Sequence, residues 1–174
     1  MNLYFRFFLL ILKRVLSRPQ ISIFDACSTD FFCVPTDLDV NFHMNNGVYL
    51  SLMDLGRMDL MMKSGTFWKL FQQGFYPVVV SESIRFRKSI EVFQHFEMIT
   101  QIESFDEKDF FIKQTFKRQN EIYAVGLIQG RFKKRGQSGS IQTVDLFRAL
   151  QLTPPELHRT PLALKQNEIK DLLN

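Results

Sequence analysis

The sequence holds little of what metal centres, disulfide scaffolds and nucleotide loops are built from. It has two cysteines, Cys27 and Cys33, and three histidines in 174 residues. The cysteines show neither zinc-site spacing nor a CxxC arrangement, so both are expected as buried thiols, in keeping with a reducing, cytoplasmic setting. His43, His95 and His158 make no metal motif by spacing, and neither a metal nor a cofactor is expected. Glycine is sparse too, and none belongs to a Walker or dinucleotide fingerprint; Gly126 and Gly130 read instead as bends or points of close packing in a strand. The sequence has no internal repeat. Its longest apolar run, Leu3 to Leu12, is too short for an ordinary membrane-spanning helix and is interrupted by Arg6. That run also lacks the basic start and small-residue cleavage pattern of a secretory leader. A net charge of +4 is too modest to point to nucleic acid.

What is present describes a globular chain. Apolar residues make up 45% and charged residues 23%, enough for one domain with a substantial core that gains from self-association. The 19 phenylalanines fall mostly inside periodic segments, which makes them core and interface residues. In Arg85-Phe86-Arg87-Lys88 and Arg131-Phe132-Lys133-Lys134-Arg135, basic and aromatic residues alternate as on an edge strand with one wet face. Such a face is either a solvated rim or an electrostatic rim for a phosphate-bearing substrate.

Periodicity divides the chain into an amino-terminal apolar or amphipathic helix within 1–20, a domain over 21–150 and a tail over 151–174. The first helix is expected to pack on the domain or a partner subunit, or else to contact a membrane peripherally with Arg6, Lys13, Arg14 and Arg18 near headgroups. A short strand is expected at Asp30–Val34, broken by Pro35. A largely enclosed helix then runs from Asn46 to Ser64, with Gly56 marking close approach to another backbone element and Gly65 a stop. A further helical turn is expected around Phe67–Phe71. From Val78 the period becomes two, and strands are expected at Val78–Arg87, Val92–Glu103, Asp109–Lys117 and Ile122–Lys133, paired consecutively and antiparallel. A short helix at Val144–Leu150 and a weaker one at Pro161–Leu173 complete the expected elements.

The chemistry is concentrated in Asp37-Leu38-Asp39-Val40-Asn41-Phe42-His43-Met44-Asn45-Asn46-Gly47-Val48-Tyr49, which sets two carboxylates, an imidazole and two amides before the enclosed helix. Asp39 can act as general base toward water, attack an activated acyl carbon, or cap the loop by accepting backbone N–H groups. Asp37 reads as a structural carboxylate that holds the turn. His43 either orients water or a carbonyl, or makes a structural hydrogen bond. Asn45 and Asn46 read as helix caps, with backbone amides near Gly47 and Val48 placed to stabilise an oxyanion. Asp54 and Arg57, three apart on the helix, form a structural pair or an inter-subunit bond, with Asp59 and Glu82 as reserve carboxylates.

Taken together, Asp37, Asp39, His43, Met44, Asn45, Asn46, Tyr49, Asp54 and Arg57 resemble the signature of hotdog-fold acyl-CoA thioesterases of the 4-hydroxybenzoyl-CoA thioesterase type. Within that family the sequence is similar to the thioesterase superfamily member six group, around Thr36-Asp37-Leu38-Asp39, His43-Met44-Asn45-Asn46 and Pro154-Pro155-Glu156-Leu157. The resemblance implies an α+β hotdog fold, in which a long central helix is wrapped by a curved antiparallel β-sheet. It also implies a homodimer or a dimer of dimers, with active sites at the subunit interface. Asp39 matches the nucleophile or general-base position and Gly47 the helix entrance. Asn45, Asn46, Val48 and Tyr49 then stand against substrate.

The implied activity is hydrolysis of acyl-CoA to a free carboxylate and coenzyme A, the latter entering only as part of the substrate. Cleavage of an acyl-carrier-protein thioester, and noncatalytic acyl or lipid binding at a membrane surface, are the alternatives.

Overall fold

The apolar positions behind the polar cluster do form one long helix, and its enclosure follows from having apolar residues on more than one face. The computed structural model describes residues 3–15 and 21–153. Helices α1 (Leu3–Val15), α2 (Asn46–Lys63), α3 (Thr66–Gln72) and α4 (Thr143–Leu150) accompany strands β1 (Cys27–Phe32), β2 (Phe75–Phe86), β3 (His95–Phe105), β4 (Asp109–Arg118) and β5 (Glu121–Lys134). The helix expected at Pro161–Leu173, together with Arg18, lies outside the described residues.

The strands form a five-stranded antiparallel sheet in the order β1-β3-β4-β5-β2. The expected pairing of β2 with β3 does not occur. Strand β1 takes the free edge of β3, and the segment 87–94 carries the chain from one side of the sheet to the other. On the way Ile90 is fully buried and its carbonyl accepts the Met44 N–H at 2.9 Å, so the crossing segment supports the loop before α2. β1 begins earlier than expected, at Cys27. Pro77 lies inside β2, where an edge strand tolerates the missing N–H.

Residues from α2 meet the sheet in two apolar clusters. One gathers Tyr49, Leu52 and Met53 with Met98 and Phe116, and the other gathers Leu60 and Met61 with Phe105, Phe110 and Phe147. Gly56 marks close approach as expected, but to side chains of the sheet. A Cβ there would stand 2.8 Å from Thr100 Oγ1 and 3.0 Å from Gln114 Nε2, and would also collide with the Met98 methyl. Gly65, at φ 70°, ends α2 in the left-handed region and starts α3.

The basic runs separate in their roles. β5 is an interior strand as far as Arg131, whose guanidinium meets buried Asp109 at 2.8 and 3.0 Å; beyond it β5 has no β4 partner. Arg85 and Phe86 do lie on the edge strand β2.

Helix α1 packs on α2, one of its expected placements, and what it corrects is the expectation of Arg6 and Arg14 near headgroups. Arg6 and Arg14 do not reach outward. Arg6 Nη2 lies 2.5 Å from Asp37 Oδ2 and 2.9 Å from the Phe32 carbonyl, while Arg14 Nε lies 2.6 Å from Asp59 Oδ1. Asp59 is completely buried and also accepts from Thr29 Oγ1 at 2.7 Å, with Lys63 Nζ 3.1 Å away.

Candidate active site

Between Pro35 and α2 the backbone folds back on itself and is held at nearly every residue. A 3₁₀ turn (Pro35–Asp37) is closed by the Asp37 carboxylate, which accepts the Val34 N–H at 2.9 Å while paired with Arg6. The Asp37 carbonyl accepts the Asn45 N–H at 2.8 Å, and Leu38 bridges to Met44. These contacts pinch off a small loop with Asp39 and His43 at its neck, where the Asp39 N–H donates to the His43 carbonyl at 2.9 Å. Phe42 N–H donates to the Asp39 carbonyl at 3.1 Å, with Phe42 at φ 60°, a conformation that costs a bulky residue backbone strain.

Asp39 is half-buried. Its Oδ1 accepts the Asn41 N–H at 2.8 Å, and its Oδ2 has no protein partner among the described residues. His43 is exposed, and its backbone bridges Glu91 in the crossing segment. Asn45 is the N-cap of α2: its side chain accepts the Gly47 N–H at 2.8 Å and its carbonyl accepts the Val48 N–H at 2.9 Å. The Gly47 amide is therefore occupied, whereas the Asn46 N–H has no protein partner among the described residues. Asn46 itself is exposed and Val48 half-buried.

Tyr49 stands behind the loop rather than in it. Its ring is buried between Phe86 and Phe116, each with centroid 5.0 Å away, and its hydroxyl accepts the Ile90 N–H at 3.3 Å. Burial pushes this phenol up to about 12. Burial likewise pushes the Cys33 thiol up to about 11, the Asp37 charge adding to the effect. Both cysteines are free and buried, as expected.

Asp54 and Arg57 lie further along α2, about 12 Å or more from its first residue at 1.5 Å rise per residue. They form an ion pair, and Arg57 also reaches Glu82 of the same chain at 3.2 Å and Gln114 Oε1 at 2.9 Å. Both line an apolar cavity of about 400 Å³ between α2, α4 and the sheet, walled by residues such as Met58, Ile112, Ile128 and Phe147 and reaching Val78 and Val79 on the unpaired edge of β2. Its size is that of a small-molecule site. Asp39, His43 and Asn45 do not line it. The chain thus brings Asp37, Asp39, His43, Asn45 and Gly47 together at one loop–helix junction, and places Asp54 and Arg57 on a neighbouring apolar cavity.

Sequence reasoning missed Arg6, Arg14 and Gln114 as parts of the frame. Two arginines eight apart, in a helix whose other charged residue is Lys13, lie roughly on one side, and that spacing is the available signal.

The profile of the thioesterase-like superfamily matches residues 33–159, which contain both the loop and the cavity-lining half of α2. The chain belongs to the thioesterase-like superfamily. It is 31% identical over 105 residues to Protein THEM6 of Xenopus laevis, a stretch covering 60% of this chain and 51% of that protein. The chain spans about half the length of the curated relatives it matches.

Among solved structures, the probable thioesterase YbaW from Escherichia coli superposes with a TM-score of 0.66 at 20% identity, covering 71% of this chain and 96% of that one. The DHNA-CoA thioesterase from Staphylococcus aureus superposes with a TM-score of 0.65 at 15% identity, covering 86% and 95%. These likenesses show the fold: α2 packed against a five-stranded antiparallel sheet is the hotdog arrangement.

Proposed function

We propose that this member of the superfamily hydrolyses acyl-CoA thioesters, with Asp39 as the group that activates water or attacks the acyl carbon. The observation that carries the reading is the state of Asp39 at the neck of the loop. One carboxylate oxygen is tethered to the Asn41 amide and the other has no protein partner among the described residues. As a base, Asp39 takes a proton from water as the water oxygen bonds to the acyl carbon. Charge then grows on the thioester oxygen, and the Asn46 amide at the positive end of α2 is placed to favour it. Collapse breaks the carbon–sulfur bond and expels the thiolate, which takes the proton held by Asp39; the acid formed gives its own proton to solvent and leaves as the carboxylate. A thioester is reactive enough for this without a serine nucleophile.

With the reacting carbon at Asp39, the far end of an acyl chain that runs about 12 Å along α2 falls in the apolar cavity, where burial of methylene groups provides selectivity. Because Val78 and Val79 line that cavity from the unpaired edge of β2, a second copy joined along β2 completes its wall. We therefore read the working unit as a homodimer. Thiol release over a panel of acyl-CoA chain lengths tests the proposal, with Asp39→Asn beside the parent. Loss of general-base or nucleophilic chemistry lowers turnover by about a hundredfold or more; equal turnover would overturn the role of Asp39.

A noncatalytic acyl-binding module is the second reading, favoured by the Gly47 amide being closed off by Asn45. It predicts tight acyl-CoA binding with no thiol release by the parent protein.

A further inference from the structure

Helix α1 is amphipathic with its sides exchanged. Its two arginines face inward onto Asp37 and Asp59, while Phe5, Phe8, Leu9 and Leu12 are exposed, at 51, 58, 44 and 54%. These four follow the i, i+3, i+4, i+7 spacing of a single helical stripe, with exposed Tyr4 beside it. The sequence alone allows that stripe to pack on the domain or a partner subunit, or to contact a membrane. The inward ion pairs forbid packing it on the domain, because turning α1 over would strand two buried carboxylates.

We propose that this outward stripe docks the protein on the surface of an anionic phospholipid bilayer. The mode is interfacial: α1 has 13 residues, and no described helix is long and apolar enough to cross a membrane. Charge selects the occupant. α1 contains no acidic residue, and exposed Lys13 flanks the stripe at its carboxy-terminal end. Beside the helix a groove is lined by Arg6, Lys13, Arg14, Lys63 and His95, with Asp30 as its acidic side chain. Arg6, Arg14 and Lys63 are taken up in ion pairs with Asp37 and Asp59, so with exposed Asp30 the groove keeps a small positive excess, and Lys13 is its outward-facing cation. An apolar stripe ended by Lys13 and flanked by a weakly positive groove matches acyl chains beneath phosphate headgroups. A second copy would instead bring an equally positive, acid-free helix to the same face.

The other flank of α1 gives docking a consequence. Leu3 and Phe7 line the apolar cavity, so the docked helix stands between the bilayer and the space assigned to an acyl group. Membrane docking does not depend on whether a thioester is cleaved.

Co-sedimentation of the full chain with phosphatidylcholine vesicles, with and without phosphatidylserine, tests the proposal. Phosphatidylserine is expected to tighten binding by about tenfold. Phe5→Ser/Phe8→Ser/Leu12→Ser is expected to weaken binding to both vesicle types by more than about tenfold, with an unchanged near-ultraviolet circular dichroism spectrum. Lys13→Gln weakens binding to the phosphatidylserine vesicles by about fivefold and leaves phosphatidylcholine binding unchanged. A Phe8→Trp variant, which keeps the apolar stripe, is expected to show a blue-shifted emission component on vesicles. Failure of the parent to bind either vesicle, or equal binding by the triple variant, would overturn the proposal. A triple variant that loses self-association while the parent ignores vesicles would also overturn it, assigning the stripe to a second copy.

Discussion

The Arg6 guanidinium lies 2.5 Å from the Asp37 carboxylate, and both side chains are buried. The same carboxylate closes the 3₁₀ turn, and the Asp37 carbonyl holds Asn45 at the start of α2. A residue in the apolar leader is thereby part of the frame around Asp39.

Arg6→Met is expected to leave the Asp37 anion buried and uncompensated, lowering stability by about 3–5 kcal/mol. Adding Asp37→Asn removes that charge and should restore much of the loss. Urea denaturation of the two single variants and the double variant gives the coupling energy; additive losses would show that the pair does not act as a unit.

Asp59 links stability to pH. Burial opposes its ionisation, but the hydrogen bonds from Arg14 and Thr29 and the charge of Lys63 outweigh burial and hold its carboxyl below the ordinary value of 3.8. The unfolded chain therefore binds more protons between the depressed value and the ordinary one. The contribution is fully present above 3.8 and is lost as the pH falls through that window toward the folded value. Asp59→Asn should be less stable than the parent at neutral pH, with a flatter dependence in the acid window. Urea midpoints measured from neutral pH down past 3.8 check this.

Gly56→Ala sets two effects against each other. Alanine improves helix propensity by about 1 kcal/mol, whereas overpacking against Thr100 and Gln114 costs about 2 kcal/mol. Packing is expected to win, because the Thr100 hydroxyl in β3 cannot swing clear as the Met98 methyl can. A net loss of about 1 kcal/mol in chemical denaturation is the expected result, and a gain would show that the sheet moves away.

Val79→Lys tests the edge of β2. Val79 and Val80 are exposed, and β2 has only β5 beside it among the described residues. A lysine on an exposed edge discourages strand addition. On the proposed homodimer, light scattering should then report half the parent mass, with reduced thioester turnover because the cavity loses its second wall. An unchanged mass would overturn the proposed pairing of two copies along β2.

Local patterns made most elements legible. The long helix differs from its expected span only at its final residue, and the strands by a few residues at each end. The loop before α2 was legible because its cap chemistry is short-ranged: Asn45 holds Gly47, and Asp39 holds Asn41. Strand order was not, since period two states which face is buried but not which neighbour wins an edge. β1 won the edge of β3, and β2 went to β5.

What the sequence by itself determined is the helices and strands of the described residues, the polar cluster at the head of α2 and the two buried thiols, because each follows from residues within a few positions of one another. Tertiary structure alone decided that Arg6 and Arg14 face inward, that Asp37 and Asp59 are their partners and that the apolar side of α1 faces outward. Those pairs span 31 and 45 residues. Only packing brings such charges within reach, and once they are buried the need to neutralise them overrides the hydrophobic preference of a single helix.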